Sequence, residues 1–155
     1  MRALRHWSVR HAGAMERAWE LLERLLVAVA PLARRIGYAR VERPVAAVES
    51  VLKGLLFDCR MCGQCALSST GMSCPMNCPK TLRNGPCGGI RANGHCEVLP
   101  DMPCVWEKAW EGSARMRGGA ALHVVQFAVD HRRLGRSSWV ALMRERCPEA
   151  EGKSR

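Results

Sequence analysis

No apolar run in this sequence is long enough to span a bilayer. The longest, Leu25 to Ala33, is interrupted by Pro31 and falls short of the ~18 residues a membrane helix needs. No apolar stretch of the ~7–15 residues that mark a secretory leader precedes Glu16. The cysteine total is odd, at nine, which counts against the fully paired disulfide scaffold of a small secreted domain. Together these absences predict a cytoplasmic chain without a membrane span. Blocks of like charge are also missing. The net charge of +10 divides into +4 for residues 1–58, +2 for 59–104 and +4 for 105–155. So even a spread counts against a nucleic-acid stripe. There is no internal repeat, no phosphate loop, no G-x-G-x-x-G after a strand and no Ser/His/Asp signature. Asp58, Glu97 and Asp101 border the cysteine segment and read as hydrogen-bonded structure. A chain without a catalytic constellation points to a carrier or subunit rather than a complete enzyme.

What the sequence does have is sulfur. Eight of the nine cysteines fall in one segment: Cys59, Cys62, Cys65, Cys74, Cys78, Cys87, Cys96 and Cys104. The first three form C-x-x-C-x-x-C, two are followed by proline (Cys74-Pro75, Cys78-Pro79), and Cys87 sits in Gly85-Pro86-Cys87-Gly88-Gly89. Thiolates are soft ligands, and close spacing lets one loop wrap several around an inorganic centre. The segment is rich in Gly, Pro, Asn and Ser and poor in large aliphatics, so ligation must supply stability that burial cannot. Eight thiolates also bring negative charge that nearby cations and backbone N–H groups would offset; Arg60, Lys80 and Arg83 are candidates, and each is equally well an ordinary surface cation.

Three occupants are open. C-x-x-C-x-x-C followed by Cys-Pro is a partial match to the bacterial ferredoxin pattern, in which the fourth cysteine follows sooner than Cys74 does here. Two cubane clusters would use all eight cysteines, and the spacing does not tell which four share one. Zinc is the alternative, through C-x-x-C pairs closing a four-thiolate site, with His95 a further candidate that more often reads as a solvated loop histidine. Disulfides are the third. Cys147, followed by Pro148, stands apart and reads as a free or half-buried thiol.

The fold class expected is a small α-rich domain. N-terminal helices lead into an irregular, loop-rich cysteine module stabilised by metal clusters, followed by a C-terminal helix and tail. The divisions are 1–43, an extension with an amphipathic helix; 44–117, the cysteine module; and 118–155, the tail. Residues 1–13 lack periodicity and read as frayed. A helix is predicted over 14–30, with Met15, Trp19, Leu22, Leu26 and Val29 as its core stripe and Pro31 ending or kinking it. A second is predicted over 44–57, with Pro44 in the first turn and Val45, Val48, Val51 or Leu52, and Leu55 or Leu56 on its apolar face. Loops fill 58–103, with a helical turn around 80–82 and a turn at Asn93-Gly94. A third helix covers 104–117, with Trp106 and Trp110 stacked, and Gly118-Gly119 breaks it. An apolar stretch, 122–129, precedes residues 130–142 and a polar end.

A resemblance adds to this reading. Leu56 to Cys65, Thr70 to Lys80, Leu82 to Gly89, Gly94 to Val98, Pro100 to Trp106 and Arg133 to Trp139 resemble the cysteine-rich domain associated with bacterial methylenetetrahydrofolate reductases, in its small-subunit form, over about residues 44 to 142. The resemblance implies that all eight clustered cysteines are ligands, with two [4Fe-4S] clusters or zinc as the metal. It implies an electron-transfer subunit for a flavin-bearing TIM-barrel reductase that makes methyltetrahydrofolate, with the flavin on the partner chain only. This chain is too short to hold that barrel, which takes ~250 residues.

Overall fold

The computed structural model describes residues 2–148, and the polar end predicted for 149–155 lies outside them. Among the described residues there are five α-helices: α1 (Arg2–Arg10), α2 (Ala12–Ile36), α3 (Tyr38–Phe57), α4 (Val105–Ser113) and α5 (Ser138–Arg146). No strand forms among them; one antiparallel bridge joins His95 to Pro103. The architecture is the α-rich one expected, with helices first, a loop-rich cysteine region and a C-terminal helix. Among the described residues no helix is long and apolar enough to cross a membrane.

The start of the chain is not frayed. α1 packs on α3 and α4, burying Ser8 and Val9. Ser8 Oγ lies 2.8 Å from Leu56 O, which pins the helix to the end of α3. Nor does Pro31 end its helix, since it lies inside α2, and Pro44 does not open the next one: α3 begins at Tyr38 and holds Pro44 inside it. A proline removes one backbone donor and crowds one carbonyl. Here α5 packs against both helices, and that burial offsets the loss. The break falls instead at Gly37, with φ 96°, a backbone conformation that favours glycine.

The core between these helices holds Leu26, Ala30, Ala33, Tyr38, Trp139, Val140 and Met143, with Trp19, Leu22 and Val45 against it. Tyr38 Oη donates to Cys147 O at 2.7 Å, and Cys147, a free half-buried thiol, packs on this cluster. The predicted stripes are partly out of phase. Val29, Val48, Val51, Leu52 and Leu55 are exposed. The buried face of α3 carries Glu49, Lys53 and Phe57. Two opposite charges that satisfy each other can occupy a core face that apolar periodicity would assign elsewhere.

A second core, with Ala12, Phe57, Leu67, Met72, Cys74 and Met116, seats the cysteine segment on the helices. The turn expected around 80–82 is a non-helical one just ahead of it, closed by Thr81 N on Cys78 O at 2.9 Å, and 3-10 turns form at Leu67–Ser69 and Pro75–Asn77. α4 ends four residues earlier than expected. Its Trp106 is buried, whereas Trp110 is exposed and meets His123 edge-on, so the two indoles do not stack on each other. Residues 124–130, extended rather than helical, are tied at both ends to the cysteine loops. Gln126 N donates to Asn84 Oδ1, and Asp130 N to Gln64 Oε1, both at 2.6 Å.

Candidate metal centres

α3 delivers the chain into the cysteine segment through Asp58, which takes a left-handed conformation (φ 53°) as its C-cap. Met61 (φ 47°), Gly63 (φ 69°), Gly71 (φ 59°) and Met72 (φ 59°) follow in the same region. Left-handed backbone at non-glycine residues is uncommon and has to be held by its surroundings. Its effect here is to fold the loop back on itself repeatedly, so that cysteines distant in the chain share one cleft.

Cys59, Cys62, Cys65 and Cys74 line that cleft, together with Glu49, Lys53, Gly63, Gln64, Arg83 and Ser138. Cys62 and Cys74 are buried, Cys59 is half-buried and Cys65 is exposed. Burial pushes the Cys59 thiol up, against a bond from Met61 N at 3.3 Å to its sulfur. The Cys74 thiol is pushed up to about 12, first by burial and then by the neighbouring Cys59. Thr70 and Ser73 brace the loop from behind: Thr70 Oγ1 lies 2.8 Å from Ala66 O, and Ser73 Oγ donates to Val105 O at 2.9 Å.

The other four cysteines line a second cleft. Cys78, Cys87, Cys96 and Cys104 surround it with Lys80, Gly89, Glu97, Met102 and Trp106. Cys96 N donates to Met102 O and Cys104 N to Gly94 O, at 2.8 and 2.9 Å, which clamps the 94–104 loop. Lys80 and Glu97 form an ion pair, and Cys87 Sγ lies 3.7 Å from Glu97 Oε1. Between the two clefts runs only the 3-10 turn Pro75–Asn77, flanked by Cys74 and Cys78.

The eight predicted cysteines therefore divide four and four, in chain order, and Cys147 joins neither group. His95 lies outside both clefts, its Nδ1 2.6 Å from Pro100 O. Of the three candidate cations, Arg83 lines the first cleft and Lys80 the second, while Arg60 Nε reaches Asn77 Oδ1 at 3.4 Å. Lys53 and Glu49 were not legible as site residues; a lysine four residues after a glutamate is an ordinary helix-surface pair. The available signal was their position, about one and two helical turns before Phe57, where α3 hands the chain to Cys59.

The donor chemistry suits a soft metal: four thiols to a cleft, all nine cysteines free. Arg83 supplies an independent sign. One Nη donates to Gln64 O at 2.6 Å, while Nε and Nη1 are shut from water without an acceptor. Unpaired buried donors beside four thiols suit a negatively charged occupant. Among the described residues, no three His, Cys, Asp or Glu side chains are grouped closely enough to grip one ion as they stand.

The sequence model of the family described as methylene-tetrahydrofolate reductase C terminal matches residues 38–132. The chain belongs to this family. The match to the methylene-tetrahydrofolate reductase C-terminal family takes in α3, all eight clustered cysteines and α4, and leaves α1, α2 and α5 outside. No curated protein and no solved structure matches the chain.

Proposed function

We propose that this protein is the iron–sulfur electron-transfer partner of a flavin-dependent methylenetetrahydrofolate reductase. In this reading Cys59, Cys62, Cys65 and Cys74 hold one [4Fe-4S] cluster, and Cys78, Cys87, Cys96 and Cys104 hold the other. The observation that carries it is the four-and-four division of thiols between two clefts, the ligand count of two cubanes. The family description supports the association with a reductase.

Such clusters, when bound, store and release single electrons. The residues of this chain do the rest. The four thiols at each cleft supply the ligands. Arg83 and Lys53 at the first cleft, and Lys80 at the second, set positive charge against thiolate. Trp106 at the second cleft and the Thr70–Ser73 loop at the first keep water from the buried sulfurs. The electron exchanged is matched on the reductase side by a flavin, which passes electrons singly or in pairs.

Anaerobic purification followed by iron, sulfide and zinc analysis tests this. About eight irons and eight sulfides per chain, with an electron-resonance signal on reduction, is the expected result. A colourless, folded protein with one or two zinc ions would establish a structural zinc module instead, one that docks or scaffolds the reductase. Co-purification with a flavoprotein tests the partner.

A further inference from the structure

Lys53 is 5% exposed and Glu49 2%. Lys53 Nζ donates to Glu49 Oε1 at 2.7 Å and to Ser138 Oγ at 2.8 Å. The ammonium lies 5.7 Å from the Trp19 ring centre and 5.4 Å from that of Trp139, so two indole rings flank it. Glu49 is tied down in turn. Ser137 Oγ donates to it at 2.5 Å, Ser138 Oγ donates as well, and Trp139 N reaches it at 3.3 Å, at the N-terminus of α5. Each member of the pair is thus fixed by several bonds.

A buried ion pair is a poor stabiliser, because desolvating two charges costs as much as their attraction returns. Its placement suggests another use. Both side chains line the cleft of Cys59, Cys62, Cys65 and Cys74. Burial works against the Lys53 ammonium, and the neighbouring Cys65 and Glu49 more than offset it, raising its pKa. Lys53 and Cys65 also line the neighbouring apolar cavity of about 190 Å³, walled by Trp19, Leu22, Phe57, Met72 and Trp139. Lys53 therefore sets a buried positive charge at the edge of the cysteine site, on the side of the exposed Cys65, where burial of the ammonium limits screening. The second cleft has a different arrangement: its lysine, Lys80, pairs with Glu97 at a site where both side chains are 39% exposed, and water screens such pairs.

We infer that the Lys53–Glu49 pair is the electrostatic setting of the first cysteine site, holding its reduction potential above that of the second. The inference rests on the iron–sulfur reading above. Reduction adds one electron, and so one negative charge, to a site; a fixed cation beside it favours the reduced form, and a fixed anion disfavours it. Lys53 is a positioning residue here: it acts on the site through charge and ligates nothing.

The test is a reductive titration of the anaerobically purified full chain, followed by electron resonance, with the external reductant dithionite as electron source. Cys104→Ser protein, which lacks a complete second site, assigns the two signals. Lys53→Met is expected to shift the first site's one-electron equilibrium at least tenfold toward the oxidised form, ~59 mV. Glu49→Gln, which keeps the side chain's volume, is expected to shift it the other way, and the second site moves less in both. If Lys53→Met fails to fold, Glu49→Gln decides alone, because the predicted direction is specific to charge. Iron-loaded variants with the wild-type potential, or variants that move together, overturn the inference and leave the cluster reading standing. An iron-free wild-type protein overturns that reading, and this inference with it.

Discussion

Glu16 Oε1 accepts the backbone N–H of Gly118 at 2.8 Å, while its other oxygen accepts that of Arg117 at the same distance. Glu16 belongs to α2, outside the family match, and the turn it holds belongs to the cysteine-bearing region inside it. One carboxylate thus staples the N-terminal addition to the family's own fold. Removing it takes two charge-assisted hydrogen bonds from a carboxylate that is itself buried beneath an exposed turn. Glu16→Ala is expected to lower stability by about 1–3 kcal/mol, read as a shift in the denaturant midpoint. Arg117→Ala, which removes only the exposed pair with Glu20, should cost less than about 1 kcal/mol.

Gly71 and Gly112 bring the first cysteine loop onto α4. A Cβ on Gly71 would strike the carbonyl of Ala109, and one on Gly112 would strike the carbonyl of Gly71. Gly71→Ala is expected to cost about 1–3 kcal/mol and to loosen α4 from the loop, because backbone rather than a movable side chain is in the way. Gly85 is the control: its φ of 70° is also left-handed, but nothing stands within 4 Å of an added Cβ. Gly85→Ala should cost only the conformational part, about 1 kcal/mol. Thermal melts of the two variants, compared side by side, check the ranking.

On the iron–sulfur reading proposed above, the four-and-four division predicts a pattern of metal loss. Cys74→Ser should remove about half of the bound iron, and Cys104→Ser the other half, since each cubane takes four ligands. Cys65→Ser added to Cys74→Ser should remove nothing further, whereas Cys104→Ser added to Cys74→Ser should remove the rest. Iron assays on the four purified proteins read this directly. Half-loss from the Cys65/Cys74 pair and full loss from the Cys74/Cys104 pair would not arise if the sites shared ligands.

In metal-free protein, the Cys74 thiol titrates at about 12, against an ordinary value of 9.0. The folded state thus holds its proton where the unfolded state releases it. Stability is full below pH 9 and declines as pH rises from 9 toward 12. Near pH 10.5 the loss from this residue should be about 2 kcal/mol, and the raised Cys59 thiol adds in the same direction. Urea denaturation at pH 8 and 10.5 measures it; Cys74→Ala should flatten the difference.

The loop-rich cysteine segment was legible because its information is in composition: eight cysteines among glycine, proline, asparagine and serine mark it off with no knowledge of the fold. The partition of the eight was not, since it depends on left-handed turns at Asp58, Met61 and Met72, residues whose side chains do not advertise that conformation. α2 and α3 were legible as helices but not in phase. Glu49 and Lys53 lie inside, and Leu52 and Leu55 outside, because charge pairing and the docking of α5 outweigh simple amphipathicity. α1 was missed because three arginines, Arg2, Arg5 and Arg10, make this nine-residue segment polar on average and hide its amphipathic pattern. What orders it is tertiary: Ser8 on Leu56, and Val9 and Ala12 buried.

The short turn Pro75–Asn77, with a cysteine of each set at its two ends, has an electrical consequence. Four residue steps span at most ~14 Å. Unit charges that far apart repel by about 1 kcal/mol at an effective dielectric of 20. On the iron–sulfur reading proposed above, loading one site with an electron makes loading its neighbour harder, and the pair fills with negative cooperativity, as one two-step accumulator.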